Sequence, residues 1–400
     1  MHARAVSTAR PIHWPCSFSS RDGDGIIVID RKQIIGNHWE ECIELADLDE
    51  GRLYAEIDPK GMGDLIEGFP AQVEEAWRIG AEARVPSDYA EVDQIVVQGM
   101  GGSAIGGDLL GAVYADRLKV PYAVVRDYGL PGYAGPRTLF GASSYSGNTE
   151  ETLSGYAEAK RRGCKILAIT SGGRLAEWAR ADGFPCVAIP AGFMPRAALA
   201  YSFFPLLGVL GRLGLFPGAS PEVEETLAVM REGVNRLGRS VPAGRNPAKE
   251  LARWFHGRYP LVYAAGAWPG IVAMRWKTQI NENAKNLAFW NVLPELNHNE
   301  TVGYEAPAEL IREMRVLFLL TGDESPRLRK RIEVTRGIVA RAGAETRELK
   351  AAGRSALSKM FSLIQYGDFV SLYLAVLNGV DPTPVKVIDL LKAELAKLDG

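Results

Sequence analysis

From residue 91 onward, short β-branched apolar runs alternate with longer stretches whose apolar positions recur every three or four residues. That is the pattern of parallel strands joined by crossover helices. Five runs predict the strands of a first sheet: Gln94–Gln98 (QIVVQ), Tyr122–Val125, 139–144, Lys165–Thr170 and 186–189. The helix predicted over 149–162 opens on Glu150 and Glu151 and stops at Gly163, acidic residues suiting the positive end of a helix and glycine its termination. A second series follows, with strands predicted at 261–265, 288–293, 316–320 and 346–349 and helices near 269–285, 326–341, 355–378 and 384–397. The pattern divides the chain into an N-terminal tail and helical arm (1–89), a first α/β domain (90–215), a helical connection punctuated by Pro and Gly (216–245) and a second α/β domain (246–400). The predicted class is α/β, two doubly wound domains with central parallel sheets flanked by helices. Helical spacing at 64–82 predicts an arm packed on the first domain. No short-period repeat is visible, which excludes a solenoid.

Composition narrows the classes of function. The 400 residues exceed what one hydrophobic core usually serves. With 46 Lys+Arg against 48 Asp+Glu, the chain has no excess of cations to neutralise nucleic-acid phosphates. The most membrane-like stretch read from the sequence, 197–213, is short and interrupted by Pro205, Gly208 and Gly211. Neither nucleic acid nor membrane is expected as a partner. Cys16, Cys42, Cys164 and Cys186 form no CxxC pair and have no His at zinc-site spacing, so reduced, buried thiols in a cytoplasmic protein are expected, without a disulfide framework or metal site. The first 25 residues lack the apolar run of a secretory signal and read as a disordered tail, or as sequence ahead of the true start.

Chemistry enters with a glycine-rich segment, Gly99-Met100-Gly101-Gly102-Ser103-Ala104-Ile105-Gly106-Gly107-Asp108, between the first strand and a helix. Glycines let backbone approach an anion, and N–H groups at a helix start favour phosphate. Gly99, Gly101 and Ala104 also fit the dinucleotide pattern, with Asp127 near the place of a ribose-binding acid, so a dinucleotide enzyme stays open. So does a tight turn that binds nothing. A second loop, Ser143-Ser144-Tyr145-Ser146-Gly147-Asn148-Thr149, again ends a strand and opens a helix. Any one of its hydroxyls is equally read as a helix cap. Two such loops at adjacent strand ends point to an anion cradle of Gly101, Gly102, Ser103, Ser144, Ser146 and Thr149. Ser171-Gly172-Gly173, at the next strand end, is read as backbone geometry alone.

GMGGSAIGGDLL together with SYSGNTEETL resembles the sugar isomerase (SIS) domain. The run from about 90 to 397, roughly three quarters of the chain, resembles the bifunctional phosphoglucose/phosphomannose isomerase family, built from two such domains. The resemblance implies interconversion of glucose 6-phosphate and fructose 6-phosphate, and of mannose 6-phosphate, by ring opening and an enediol, with no cofactor and no metal. Four residues follow from it. Glu282, in QINENAKN at a helix end, reads by itself as a solvated carboxylate; the resemblance makes it the base that moves a proton between C1 and C2. His298, in PELNHN, is assigned to ring opening, on a loop that reaches into the neighbouring subunit's site, which implies a homodimer. Lys392, after I-D-x-L, otherwise shares a solvated helix face with Lys386 and Lys397; the resemblance sets it beside the histidine. Arg196, in PRAAL, stands directly before an apolar helix, an odd place for a charge without a partner; by resemblance its guanidinium stabilises the enediolate. The family associates acceptance of both epimers with a threonine shortly before the lysine, where this chain has Val385, with Thr383 two residues earlier. A non-catalytic phosphosugar regulator, in which Glu282 and His298 are dispensable, an isomerase of another phosphosugar, and a dinucleotide enzyme remain as alternatives. No helix-turn-helix segment accompanies the first of these.

Overall fold

The computed structural model describes residues 47–216, 218–395 and 397; Cys16, Cys42 and the tail read from the first 25 residues lie outside them. Two all-parallel sheets result. The first joins β1 (Gln94–Gln98), β2 (Tyr122–Val125), β3 (Thr138–Ser143), β4 (Lys165–Thr170) and β5 (Cys186–Ala188) in the order β2-β1-β3-β4-β5. The second joins β6 (Tyr259–Ala265), β7 (Phe289–Leu293), β8 (Met314–Leu320) and β9 (Glu345–Lys350) in the order β7-β6-β8-β9. Each of the nine lies where β-branched runs predicted it. The two orders match place for place, β6 standing where β1 does, β7 where β2 does, β8 where β3 does and β9 where β4 does. Strand β3 is buried at every position because helices cover both faces of the sheet.

The helices that matter below are α1 (Phe69–Glu82), α2 (Gly101–Val113), α3 (Glu150–Arg161), α4 (Gly173–Asp182), α5 (Leu199–Arg212), α6 (Ser220–Leu237), α7 (Pro247–Phe255), α8 (Ala267–Ala284), α9 (Pro326–Arg341), α10 (Ala356–Leu377) and α11 (Lys386–Leu395). One hydrophobic cluster runs through both halves, from Val97 and Ile105 through Phe203, Trp276 and Phe361 to Leu317. The rings of Phe203 and Phe361 meet edge to face at 5.2 Å in its middle. Among the described residues α10, not 197–213, is the helix long and apolar enough to cross a bilayer, yet 89% of its most apolar window is buried inside the protein. It is apolar all round because protein surrounds it.

The arm packs on both halves, not on the first alone. Helix α1 crosses α5 so closely that a Cβ on Gly80 would stand 2.7 Å from Pro205 Cα, and one on Gly208 2.7 Å from the Gly80 carbonyl carbon. Only glycines permit that approach. On the other side, Phe69 meets Phe361 at 6.0 Å and Lys249 Nζ donates to Asp49 at 2.9 Å. The expectation of buried thiols holds for Cys164 and fails for Cys186, which is exposed because β5 is an edge strand with alternate residues turned outward.

Candidate active site

Arg196 sits on a 3-10 turn, Pro195–Ala197, between β5 and α5, and its side chain is 7% exposed. The partner that its position demanded comes from the second half. Nε donates to Asn283 Oδ1 at 2.7 Å, and Nη2 donates to the carbonyls of Pro382 at 2.6 Å and Thr383 at 2.7 Å. Nη1 faces Glu282 Oε2 at 3.5 Å. Burial pulls the guanidinium's pKa down, while Glu282 and Asp381 act against that pull.

Helix α8 supplies the other side of this contact in its last turn. Asn283 is fully buried and donates from Nδ2 to Ser371 Oγ at 3.0 Å, so its oxygen is fixed toward Arg196. Asn281 turns elsewhere, accepting from Ala288 N–H at 3.0 Å. Glu282 stays about one-third exposed, open to a ligand yet beside a buried cation. From two turns back, Arg275 donates to the Arg196 carbonyl at 3.1 Å and pairs with Asp368 of α10 at 2.9 Å. The backbone and guanidinium of Arg196 are thus both held from the second half. Asn283 was legible beside Glu282 as a group that could position a carboxylate or a sugar hydroxyl, whereas Arg275 and the 382–383 carbonyls were missed from sequence. No short motif links residues so far apart, and the lone signal was the misplaced charge itself.

The two loops meet as expected. Ser103 Oγ accepts from Tyr145 N–H and Ser143 Oγ donates to the Ser103 carbonyl, both at 3.1 Å, which joins the start of α2 to the loop before α3. Ser144 Oγ lies 2.8 Å from Thr149 Oγ1 and accepts from Gly147 N–H at 3.1 Å. Gly101 and Ser146 are exposed, Gly102 and Thr149 half-buried, Ser103 and Ser144 buried. Gly147 has φ 68°, and a Cβ there would stand 1.8 Å from the Gly172 carbonyl oxygen. Gly102 has a different reason: a Cβ on it would stand 2.5 Å from the Pro195 carbonyl oxygen, so its smallness seats the Arg196 turn on the loop.

The matching loop of the second half, between β8 and α9, is closed by its own side chain. Glu324 is 9% exposed, and its carboxylate accepts from Thr321 N–H at 2.5 Å, Thr321 Oγ1 at 2.8 Å and Gly322 N–H at 3.1 Å. Burial works against its charge, but these hydrogen bonds outweigh it and hold the carboxyl below the usual range.

His298 ends the 3-10 turn Glu295–His298 after β7, exposed and not joined to Arg196 or Glu282. Leu293 of β7 is level with Ala265, just ahead of α8, whereas Glu282 stands at the far end of that helix, about 22 Å on at 1.5 Å per residue. The two residues therefore occupy opposite ends of the second half. Lys392 falls within α11, but its side chain lies outside the described residues. Thr383 Oγ1 is buried and has no hydrogen-bond partner. Among the described residues no group of three or more His, Cys, Asp or Glu could hold a metal ion.

Residues 244–395 match the family model of the bacterial phospho-glucose isomerase C-terminal SIS domain. The chain is 43% identical over 337 residues to a bifunctional phosphoglucose/phosphomannose isomerase of Caldicellulosiruptor bescii, covering 84% of this chain and 99% of the relative. An enzyme of the same description from Aquifex aeolicus is 36% identical, covering 83% and 98%. Such a match is longer than everything after residue 89, so it takes in part of the arm. Among solved structures, a hypothetical protein from Thermus thermophilus superposes with TM-score 0.68 at 18% identity, covering 87% of this chain and 93% of its own, a likeness of fold.

Proposed function

Since the chain belongs to the bifunctional phosphoglucose/phosphomannose isomerase family, we propose that it interconverts glucose 6-phosphate and mannose 6-phosphate with fructose 6-phosphate through a ring-opened sugar and an enediol. The observation that carries this reading is the Arg196–Glu282 pair, a partly exposed carboxylate 3.5 Å from a buried guanidinium that is already fixed by three other hydrogen bonds. Glu282 removes the proton from C2 of the aldose and returns it to C1. Arg196 stabilises the negative oxygen that develops meanwhile, and because its position is set beforehand little reorganisation accompanies the reaction. Proton transfer needs no cofactor and no metal. The phosphate is taken by Gly101, Gly102, Ser103, Ser144, Ser146 and Thr149, where the N-terminal N–H groups of α2 and α3 favour an anion. In this division of labour the first domain, 90–215, seats the phosphate and the second, 246–400, brings the base.

Ring opening falls to His298 and Lys392. A helix length separates His298 from the Glu282 of its own chain, which favours delivery to the site of a neighbouring copy. Leu287, just before β7, and Phe289 and Trp290 on it are exposed, as are Val387, Leu390 and Leu391 on α11, apolar surface suited to a homodimer contact. The enzyme acts in the cytoplasm in this reading. Acceptance of mannose 6-phosphate is consistent with the unpartnered Thr383 hydroxyl, given Val385 at the family's threonine position.

Incubation with fructose 6-phosphate in D2O tests the chemistry. Deuterium is expected at C2 of both glucose 6-phosphate and mannose 6-phosphate. Glu282→Gln is expected to lose activity by about 10²- to 10⁴-fold, the usual share of a general base, and wild-type turnover in that variant would remove Glu282 from the role. NAD(P) binding without isomerisation would favour the dinucleotide reading instead.

A further inference from the structure

We propose that Lys285 is a positioning residue of this site, its ammonium tying the end of α8, with Glu282, to the turn that holds Arg196. The inference rests on the isomerase reading above. Two independent features lead to it. The first is backbone conformation: Lys285 ends α8 with φ 53° and ψ 30°, and it is the one non-glycine residue with positive φ among the described residues. A Cβ is crowded in that conformation, so helices that end this way normally do so on glycine, sometimes asparagine. Glycine at 285 would make the same N–H bond to the Ile280 carbonyl that closes the helix. What it would lack is the side chain.

The second feature is what that side chain does. Lys285 Nζ donates to the Glu282 carbonyl at 2.5 Å and to the Pro382 carbonyl at 3.2 Å. The Pro382 oxygen also accepts from Arg196 Nη2, so one carbonyl receives both cations. Asp381 Oδ1 accepts from Thr383 N–H at 2.8 Å and closes the turn from its other side. Lys285 therefore joins the last turn of α8 to residues 381–383, and these in turn fix the guanidinium that faces Glu282. Lys285 as a whole is exposed, but partial burial of its ammonium in that seam, then the neighbouring Arg196, brings its pKa down to about 8, against the opposing pull of Asp381 and Glu282. The charge of the link is thus lost within reach of ordinary assay conditions.

Lys285→Gly in the full chain separates this role from a merely structural one. Removing the strained backbone is expected to leave the melting temperature unchanged or higher, while kcat with fructose 6-phosphate falls roughly 10- to 100-fold and KM changes little, the scale of a small misplacement of reacting groups. Lys285→Arg is expected to recover part of kcat and, staying charged, to move the alkaline fall of kcat above pH 8 to higher pH. Wild-type kcat in Lys285→Gly, or a loss of activity matched by a fall in melting temperature, would overturn the proposal. Failure of the isomerase reading would show differently, as no turnover of fructose 6-phosphate by the wild type.

Discussion

Arg196 and Arg275 are both buried, but only one announced itself. A charge at the mouth of the apolar α5 had to have a partner, so Arg196 was legible as a paired residue, and its place in a site came from the resemblance alone. Arg275, in AMRWKTQ, looks like the polar face of any helix, and its partner Asp368 is 93 residues away in an apolar run. Lys285 was visible in the motif, but its left-handed backbone was not. Burial raises the Asp368 carboxyl's pKa, and Arg275 with Gln279 counters it. Arg275→Met leaves that carboxylate without its cation, and a loss of about 3–5 kcal/mol is expected in urea unfolding, the scale for breaking a buried pair. The sign with pH follows. A raised acid binds more protons folded than unfolded, so the variant's stability should fall as pH rises above the ordinary carboxylate range. Unfolding at pH 5 and pH 8 checks this, with the deficit smaller at pH 5.

At the scale of elements, the central strands β1, β3, β4, β6 and β8 were legible because parallel strands covered on both faces are near-continuous apolar runs, and tertiary context moved their ends little. Loops were legible where glycine and hydroxyls clustered, as at 99–108 and 143–149. The loop at 321–325 was not, because a Thr-Gly-Asp-Glu-Ser string reads as an ordinary turn until β8 is set beside β3. Reading 197–213 as the most membrane-like stretch also overlooked α10, whose greater length carries a comparable apolar character past a lysine and an aspartate. Gly147→Ala tests the element that the first half depends on. With φ 68° and a carbonyl oxygen 1.8 Å from the added Cβ, the turn must rebuild. A loss of roughly 1–3 kcal/mol in thermal unfolding and a raised KM for fructose 6-phosphate are expected.

At the scale of the molecule, a common core and an arm bound to both halves make the two sheets one unit, which the division drawn at residue 89 did not foresee. Separation of Glu282 from His298 within a chain makes a second expectation testable by mixing. Glu282→Gln and His298→Ala chains are each expected to be nearly inactive alone, but a mixed dimer has one site with both wild-type residues. Random reassociation should restore roughly a quarter of wild-type activity, as a two-fold arrangement requires. No recovery in a preparation shown to be dimeric by sedimentation would place the histidine's partner within its own chain. The buried Glu324 has a numerical consequence. Its carboxylate occupies the place that corresponds to the Ser144–Thr149 loop of the first half, proposed above to take phosphate, as an anion supplied by the chain itself. Two halves of one plan therefore leave one such loop open to an external anion, and calorimetric titration with fructose 6-phosphate is expected to give one phosphosugar per chain, not two.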